Sequence, residues 1–214
     1  MTDLPRPARL YTVSTAPNPR RVLAAMALKG IEIPLVEMDM VVKKEQYAPD
    51  YIAKTGRPVI PALELETGEI LTETVAITRY LDALVPEPPL FGRDPLEAAR
   101  IEMWQRRAEF ELLVPVAMVF RHGHPGMAEL ESQVGDWARV NLPRVEKGFQ
   151  MLEDRLQASP FLGGDALSVA DITAYMACDF AKVSKLRPSE DKTALAAWQA
   201  KLKAMPGFAM KKPG

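Results

Sequence analysis

Short apolar runs alternate with helical stripes through the first eighty residues. Leu10-Tyr11-Thr12-Val13 combines aromatic and β-branched residues and predicts a strand. A loop follows from Ser14, and Asn18-Pro19 reads as a helix N-cap with proline at the first helical position, where its missing N–H costs nothing. Val22, Leu23, Met26 and Ala27 form the apolar face of that helix, and Gly30 stops it. Ile33 to Met38 predicts a second strand, with Pro34 setting an edge position or the strand's start. The polar stretch with Lys43, Lys44, Glu45 and Tyr47 reads as a loop and short helix. Val59 to Leu65 and Ile70-Leu71 flank Glu66-Thr67-Gly68-Glu69, a hairpin with glycine in its turn. A helix through Val75, Ile77, Tyr80 and Leu81 then follows Glu73-Thr74.

The order β-α-β-(α)-β-β-α is the layout of a thioredoxin-like domain. Pro86, Pro88, Pro89 and Pro95 mark a stiff, extended connector. Beyond it the pattern is helical throughout. Ile101, Trp104, Ala108, Leu112, Val116 and Val119 recur at steps of three and four, with Pro115 expected to kink the helix. Val134, Ala138, Leu142, Val145, Phe149, Leu152 and Leu156 continue the same spacing over about six turns. Another helix begins at Ser168, and a last one carries Leu195, Trp198, Leu202 and Met205. The fold class expected is therefore an α+β thioredoxin-like N-terminal domain (1–84), a proline-rich linker (85–95) and an all-α C-terminal domain (96–214).

Composition narrows the chemistry. The 214 residues carry 27 Lys plus Arg against 28 Asp plus Glu, and this balance argues against a nucleic-acid or polybasic membrane partner. The single cysteine, Cys178, excludes a disulfide framework and a cysteine-rich metal site, and it reads as a small buried hydrophobe. No apolar run reaches the roughly 18 residues of a membrane helix, and the N-terminus has no signal-peptide core. The expected location is the cytoplasm. The 19 prolines are skewed, twelve in residues 1–95 and seven beyond, as befits two unlike halves.

Four places carry candidate chemistry. Ser168 and Asp171 have the spacing of a capping box, flanked by Leu167 and Ile172 as a hydrophobic staple. Pro61 opens a strand; it reads as an ordinary trans proline or, if cis, as a device that turns the backbone of Ile60 toward a ligand. Glu73-Thr74 at a helix start reads either as capping by Thr74 or as a site for a ligand bearing both charges of an amino acid. The helix N–H groups would take a carboxylate, and Glu73 an ammonium. His122 and His124 read as surface loop histidines, or His122 as the holder of a water acting as general base. No Cys, Asp or Glu neighbour completes a metal site around them.

Together these stretches resemble the cytosolic glutathione transferases. The matching segments are LYTVSTAPNPRRVLAAMALKGIE, VIPALELETGEILTETVAITRYLDAL, PLFGRDPLEAARIEMWQRR and FLGGDALSVADITAY. The likeness is greatest to a bacterial and fungal branch whose first helix opens with TAPNPRRV and whose second domain carries F-R-H-x-H-P. The resemblance implies a homodimer that uses glutathione as co-substrate, with no metal, and conjugates it to a small hydrophobic electrophile. It also implies that Pro61 is cis, that Ile60 and Pro61 meet the cysteinyl part of glutathione, and that Glu73 and Thr74 hold the γ-glutamyl end. Ser14, Thr15 or Asn18 would stabilise the thiolate, with His122 as a further catalytic candidate. Two departures stand out: Ala16 falls where several classes have serine, and Thr55-Gly56-Arg57-Pro58-Val59 replaces the usual Asn-Pro-x-Gly-(Gln or Lys). Val59 cannot hold the glycyl carboxylate by its side chain, so Arg57 or Lys44 would substitute. A glutathione-dependent disulfide reductase and a non-catalytic binding module are the alternative readings.

Overall fold

The computed structural model describes residues 4–209. The chain divides into two compact units, one ending at Leu90 and the other spanning Phe91–Phe208.

In the first unit, Pro7–Thr12 (β1), Leu35–Glu37 (β2), Ala62–Leu65 (β3) and Ile70–Thr72 (β4) form one sheet in the order β2-β1-β3-β4. β1 and β2 are parallel, and the other two pairings are antiparallel. Pro34 lies just outside β2, an edge strand. Alternate side chains of a strand face opposite ways. Leu10 and Leu63 therefore pack with Val22 and Met26 of the helix Pro17–Lys29 (α1) and with Ile77 and Leu81 of Thr74–Leu84 (α3). Tyr11 and Ala62 pack on the other face with Tyr51 of Pro49–Thr55 (α2).

The start of α1 corrects the sequence reading. Asn18 is not the N-cap: Ala16 takes that place with extended backbone, and Pro17 is the first helical residue. Proline suits the first helical position and Pro19 still lies in the first turn, where a missing N–H breaks no intrahelical bond, so the helix opens at the earlier of the two prolines. At its other end Gly30 adopts a left-handed φ of 63°, which closes the helix without a Cβ penalty. Next to it the Lys29 ammonium, with no exposed side-chain surface, lies 2.6 Å from Asp82. It also donates to the carbonyls of Val85 and Pro88, both at 2.7 Å. One buried cation thus ties the end of α1 to the end of α3 and the proline-rich segment.

The second unit is helical: Pro95–Arg107 (α4), Val114–Gly123 (α5), Gly135–Ala158 (α6), Val169–Ala181 (α7) and Thr193–Lys203 (α8). Between α4 and α5, Ala108–Leu113 forms a π-helical turn. The distortion expected at Pro115 is thus expressed just before it. Proline offers no N–H to the Glu111 carbonyl, and that carbonyl packs so closely on α6 that a Cβ on Gly148 would stand 2.8 Å from it. The apolar stripe read for α6 is also corrected, because Val134 and Leu142 are exposed. The buried face runs instead through Ala138, Asn141, Val145, Gly148, Phe149 and Leu152.

The capping box of α7 is present at Ser168 and Asp171. The fully buried Asp171 carboxylate accepts from the Leu162 N–H at 2.9 Å, the Ser168 N–H at 3.0 Å and hydroxyl at 2.8 Å, and the Trp198 indole at 3.2 Å. Burial pushes its pKa up, against the pull of these bonds.

Candidate functional site

Strand register brings the candidate residues of the first unit together. Tyr11 pairs with Ala62, and Ala62 with Thr72. The end of β1, the start of β3 and the end of β4 therefore share one end of the sheet. The loop Val13 to Ala16, the Ile60-Pro61 step and Glu73-Thr74 emerge there side by side. β2, parallel to β1, brings Glu37 to the same end opposite Thr12. Ser14, Thr15, Asn18, Ile60, Pro61, Glu73 and Thr74 thus belong to one end of one sheet. His122 belongs to the helical unit.

The Ile60–Pro61 peptide bond is cis. Glu73 occupies the N-cap position of α3 with a φ of 68° and ψ of 119°, a strained place for an L-residue. Its side chain makes no capping bond, and Thr74 is the first residue of the helix and not its cap. The capping alternative for Thr74 is therefore set aside. The first three N–H groups of α3, on Thr74, Val75 and Ala76, are left without intrahelical acceptors. They offer three donors and the positive end of the helix dipole to an anion. The Glu73 carboxylate is largely exposed, with the Arg57 guanidinium 3.6 Å away.

The start of α1 is different. Pro17 and Pro19 have no N–H, and the Arg20 N–H donates to the Ala16 carbonyl at 3.1 Å. Only the Asn18 N–H remains free in this first turn. Side chains must supply further donors, and they are not equivalent. Ser14 gives both its N–H and its hydroxyl to Glu37, at 2.7 and 2.6 Å. The Oδ1 of Asn18 accepts from Arg21 at 3.4 Å, and its NH2 group is a further donor. The Thr15 side chain is exposed. The Tyr11 hydroxyl is committed to Glu64 at 2.7 Å. That bond, opposed by partial burial and aided by Lys54 and Arg9, holds the Glu64 carboxyl below its usual range.

Both histidines use Nδ1 as an acceptor. His122 Nδ1 accepts from the Val134 N–H at 3.3 Å, and His124 Nδ1 from the Gly126 N–H at 3.1 Å. With Nδ1 accepting, the neutral tautomer of His122 presents its N–H at Nε2 as a donor. Among the described residues, no group of three or more His, Cys, Asp or Glu is placed to hold a metal ion. None of the helices there is long and apolar enough to cross a membrane.

Sequence reasoning missed Glu37, which engages Ser14 from a neighbouring strand, and the α2 residues Tyr51 and Thr55. The Tyr51 hydroxyl donates to the Val59 carbonyl at 2.7 Å, and the Thr55 hydroxyl to that of Arg57 at 2.6 Å. A buried aromatic on a short helix carries no signal of such a bond.

Comparison with known proteins fixes the family. Residues 10–89 match the family description "Glutathione S-transferase, N-terminal domain", and residues 133–206 match "Glutathione S-transferase, C-terminal domain". The chain is 35% identical to glutathione S-transferase 2 of Saccharomyces cerevisiae over 201 residues, 92% of this chain and 86% of that one. It belongs to the glutathione S-transferase family. Among solved structures, a glutathione S-transferase domain-containing protein of Marinobacter aquaeolei VT8 superposes with a TM-score of 0.90 at 34% identity, covering 94% of this chain and 100% of the other. Gtt2 of Saccharomyces cerevisiae does so with a TM-score of 0.89 at 35% identity, covering 94% and 98%. Glutathione S-transferases use glutathione, a tripeptide thiol with an amino-acid group at its γ-glutamyl end.

Proposed function

We propose that this glutathione S-transferase conjugates the glutathione thiolate to small hydrophobic electrophiles, as a homodimer in the cytoplasm. The observation that carries the reading is the convergence of Ile60, Glu73 and the free N–H groups of α3 at one end of the sheet. The γ-glutamyl carboxylate takes the α3 N–H groups and the Thr74 hydroxyl, and its ammonium takes Glu73. The backbone at Ile60 and Pro61 meets the cysteinyl part. The thiol then lies by the β1–α1 loop, where the Asn18 N–H, the Asn18 NH2 group and the Thr15 hydroxyl are the available donors. Ser14 is the weaker candidate, because its proton is already given to Glu37. His122 is the further catalytic candidate, and the group it would offer is its Nε2–H. The thiolate, once its proton has left to solvent, attacks the electrophilic carbon and expels the leaving group.

A free thiol has a pKa near about 8.5. The test is an ultraviolet titration of glutathione bound to the protein. A thiol pKa well below the free value supports conjugation. Binding with an unshifted thiol supports the alternative, a module that holds glutathione without activating it, which the two prolines of α1 favour. No binding at all overturns both. The disulfide reductase reading draws no support from the chain's own thiol: Cys178 is buried, and desolvation pushes it up to about 12.

The homodimer rests on exposed apolar side chains. Met103, Phe110 and Val114 recur at helical spacing along the α4–α5 run, and Trp137 and Val140 are exposed on α6.

A further inference from the structure

We infer that Tyr51 and Thr55 of α2, acting through a tight turn at Pro58, aim the Ile60 N–H at the thiol peptide; this rests on the glutathione reading above. Neither residue touches the ligand in this account. They are positioning residues, and the argument starts from peptide planarity.

The Val59–Ile60 peptide is trans, so its C=O and N–H point in opposite directions. The C=O is held by the Tyr51 hydroxyl at 2.7 Å. The Ile60 N–H is thereby directed away from α2. It has no hydrogen-bond acceptor among the described residues. One buried hydroxyl on α2 thus sets the direction of a free donor next to the cis bond.

The turn before it is fixed as well. Gly56 ends α2 in the left-handed region with a φ of 72°, and its N–H reaches Ile52 at 2.8 Å. The Val59 N–H donates to the Arg57 carbonyl at 2.9 Å, closing a three-residue turn centred on Pro58. A proline φ near about −65° suits an inverse γ-turn, whose central φ is about −75°. The Thr55 hydroxyl lies 2.6 Å from the same Arg57 carbonyl and 2.8 Å from that of Tyr51. The segment Arg57 to Val59 therefore has its backbone conformation set before any ligand arrives.

This gives the departure at residues 55–59 from the family pattern a use. Pro58 replaces a flexible glycine with a residue that prefers the turn. Val59 contributes its carbonyl, as the acceptor for Tyr51. Preorganisation of this kind strengthens binding by lowering the ordering cost. The Tyr51 hydroxyl remains a donor at all working pH values, because burial, with Tyr11 nearby, pushes it up to about 12.

Tyr51→Phe removes the latch and keeps the ring against Tyr11, and Thr55→Val removes the second hydroxyl. One hydrogen bond corresponds to a change of about three- to tenfold in affinity. Calorimetry with glutathione should show that weakening in Tyr51→Phe, with KM for glutathione raised and kcat within about twofold. In the ligand-free protein, the backbone order parameter of the Ile60 amide should fall in Tyr51→Phe and, by a smaller step, in Thr55→Val. Unchanged affinity and order parameter in both variants, or a loss of kcat at constant KM, overturns the inference. Failure of the unaltered protein to bind glutathione overturns the reading beneath it, whereas the order parameter still reports the aiming.

Discussion

Glu73 holds a backbone conformation that glycine would adopt more easily, and its carboxylate forms no cap. Both facts make sense if the side chain serves a ligand, since strained residues persist where function needs them. Glu73→Gly separates the two roles. Thermal melting should show a gain of about 1 kcal/mol as the strain is released. Glutathione affinity should fall by about 2 kcal/mol, or roughly thirtyfold, as the partner of the ligand ammonium is lost. A parallel test concerns His122, whose Nδ1 accepts a backbone N–H. His122→Ala should raise the pKa of the bound glutathione thiol, and His122→Gln, which keeps a donor, should restore part of the shift. An unchanged titration in His122→Ala would leave the histidine with only its structural bond to Val134.

At the scale of elements, caps reach across the chain. Glu153 of α6 accepts from the N–H groups of Leu195 at 2.8 Å and Ala194 at 3.2 Å, capping α8 from another helix. Burial alone would raise its carboxyl, but these bonds and that from Gln157 hold it below its usual range. Glu153→Ala should cost about 1–2 kcal/mol near neutrality, measured by urea denaturation. A depressed folded-state pKa means the contribution is full above the unfolded value and lost as pH falls through the folded one. The deficit of Glu153→Ala should therefore shrink in acid. Local signals were the legible ones: Ser168 and Asp171 cap α7 as read, Gly30 stops α1, and Gly68 turns the hairpin, because each acts within a few residues. The start of α1 was misplaced since three candidates, Pro17, Asn18 and Pro19, stand in a row. The α6 face was shifted because packing selected Asn141 and Gly148, which hydrophobicity does not mark. Lys29 was invisible for a different reason. A lysine in a last helical turn reads as a partner of the helix dipole, and its burial comes from Asp82, Val85 and Pro88 far along the chain.

For the whole molecule, register explains why the candidate site was partly legible. The strand order places distant loops at one end of a sheet: Ile60 and Glu73 stood out as candidates because a proline and a helix start mark them locally, whereas Glu37 and Tyr51 join that end only through the fold. The proposed assembly is tested by Phe110→Asp, which sets a charge on the exposed α4–α5 face. Light scattering should show the dimer mass fall toward that of one chain, with circular dichroism unchanged; a dimer that survives moves the interface elsewhere. The burial of Cys178 has a practical consequence. Its sulfur lies inside α7 with no exposed surface, so maleimide dyes at neutral pH have no native target. A reporter cysteine introduced on the β1–α1 loop would be the one thiol to take a fluorophore, with every native residue of the core left in place.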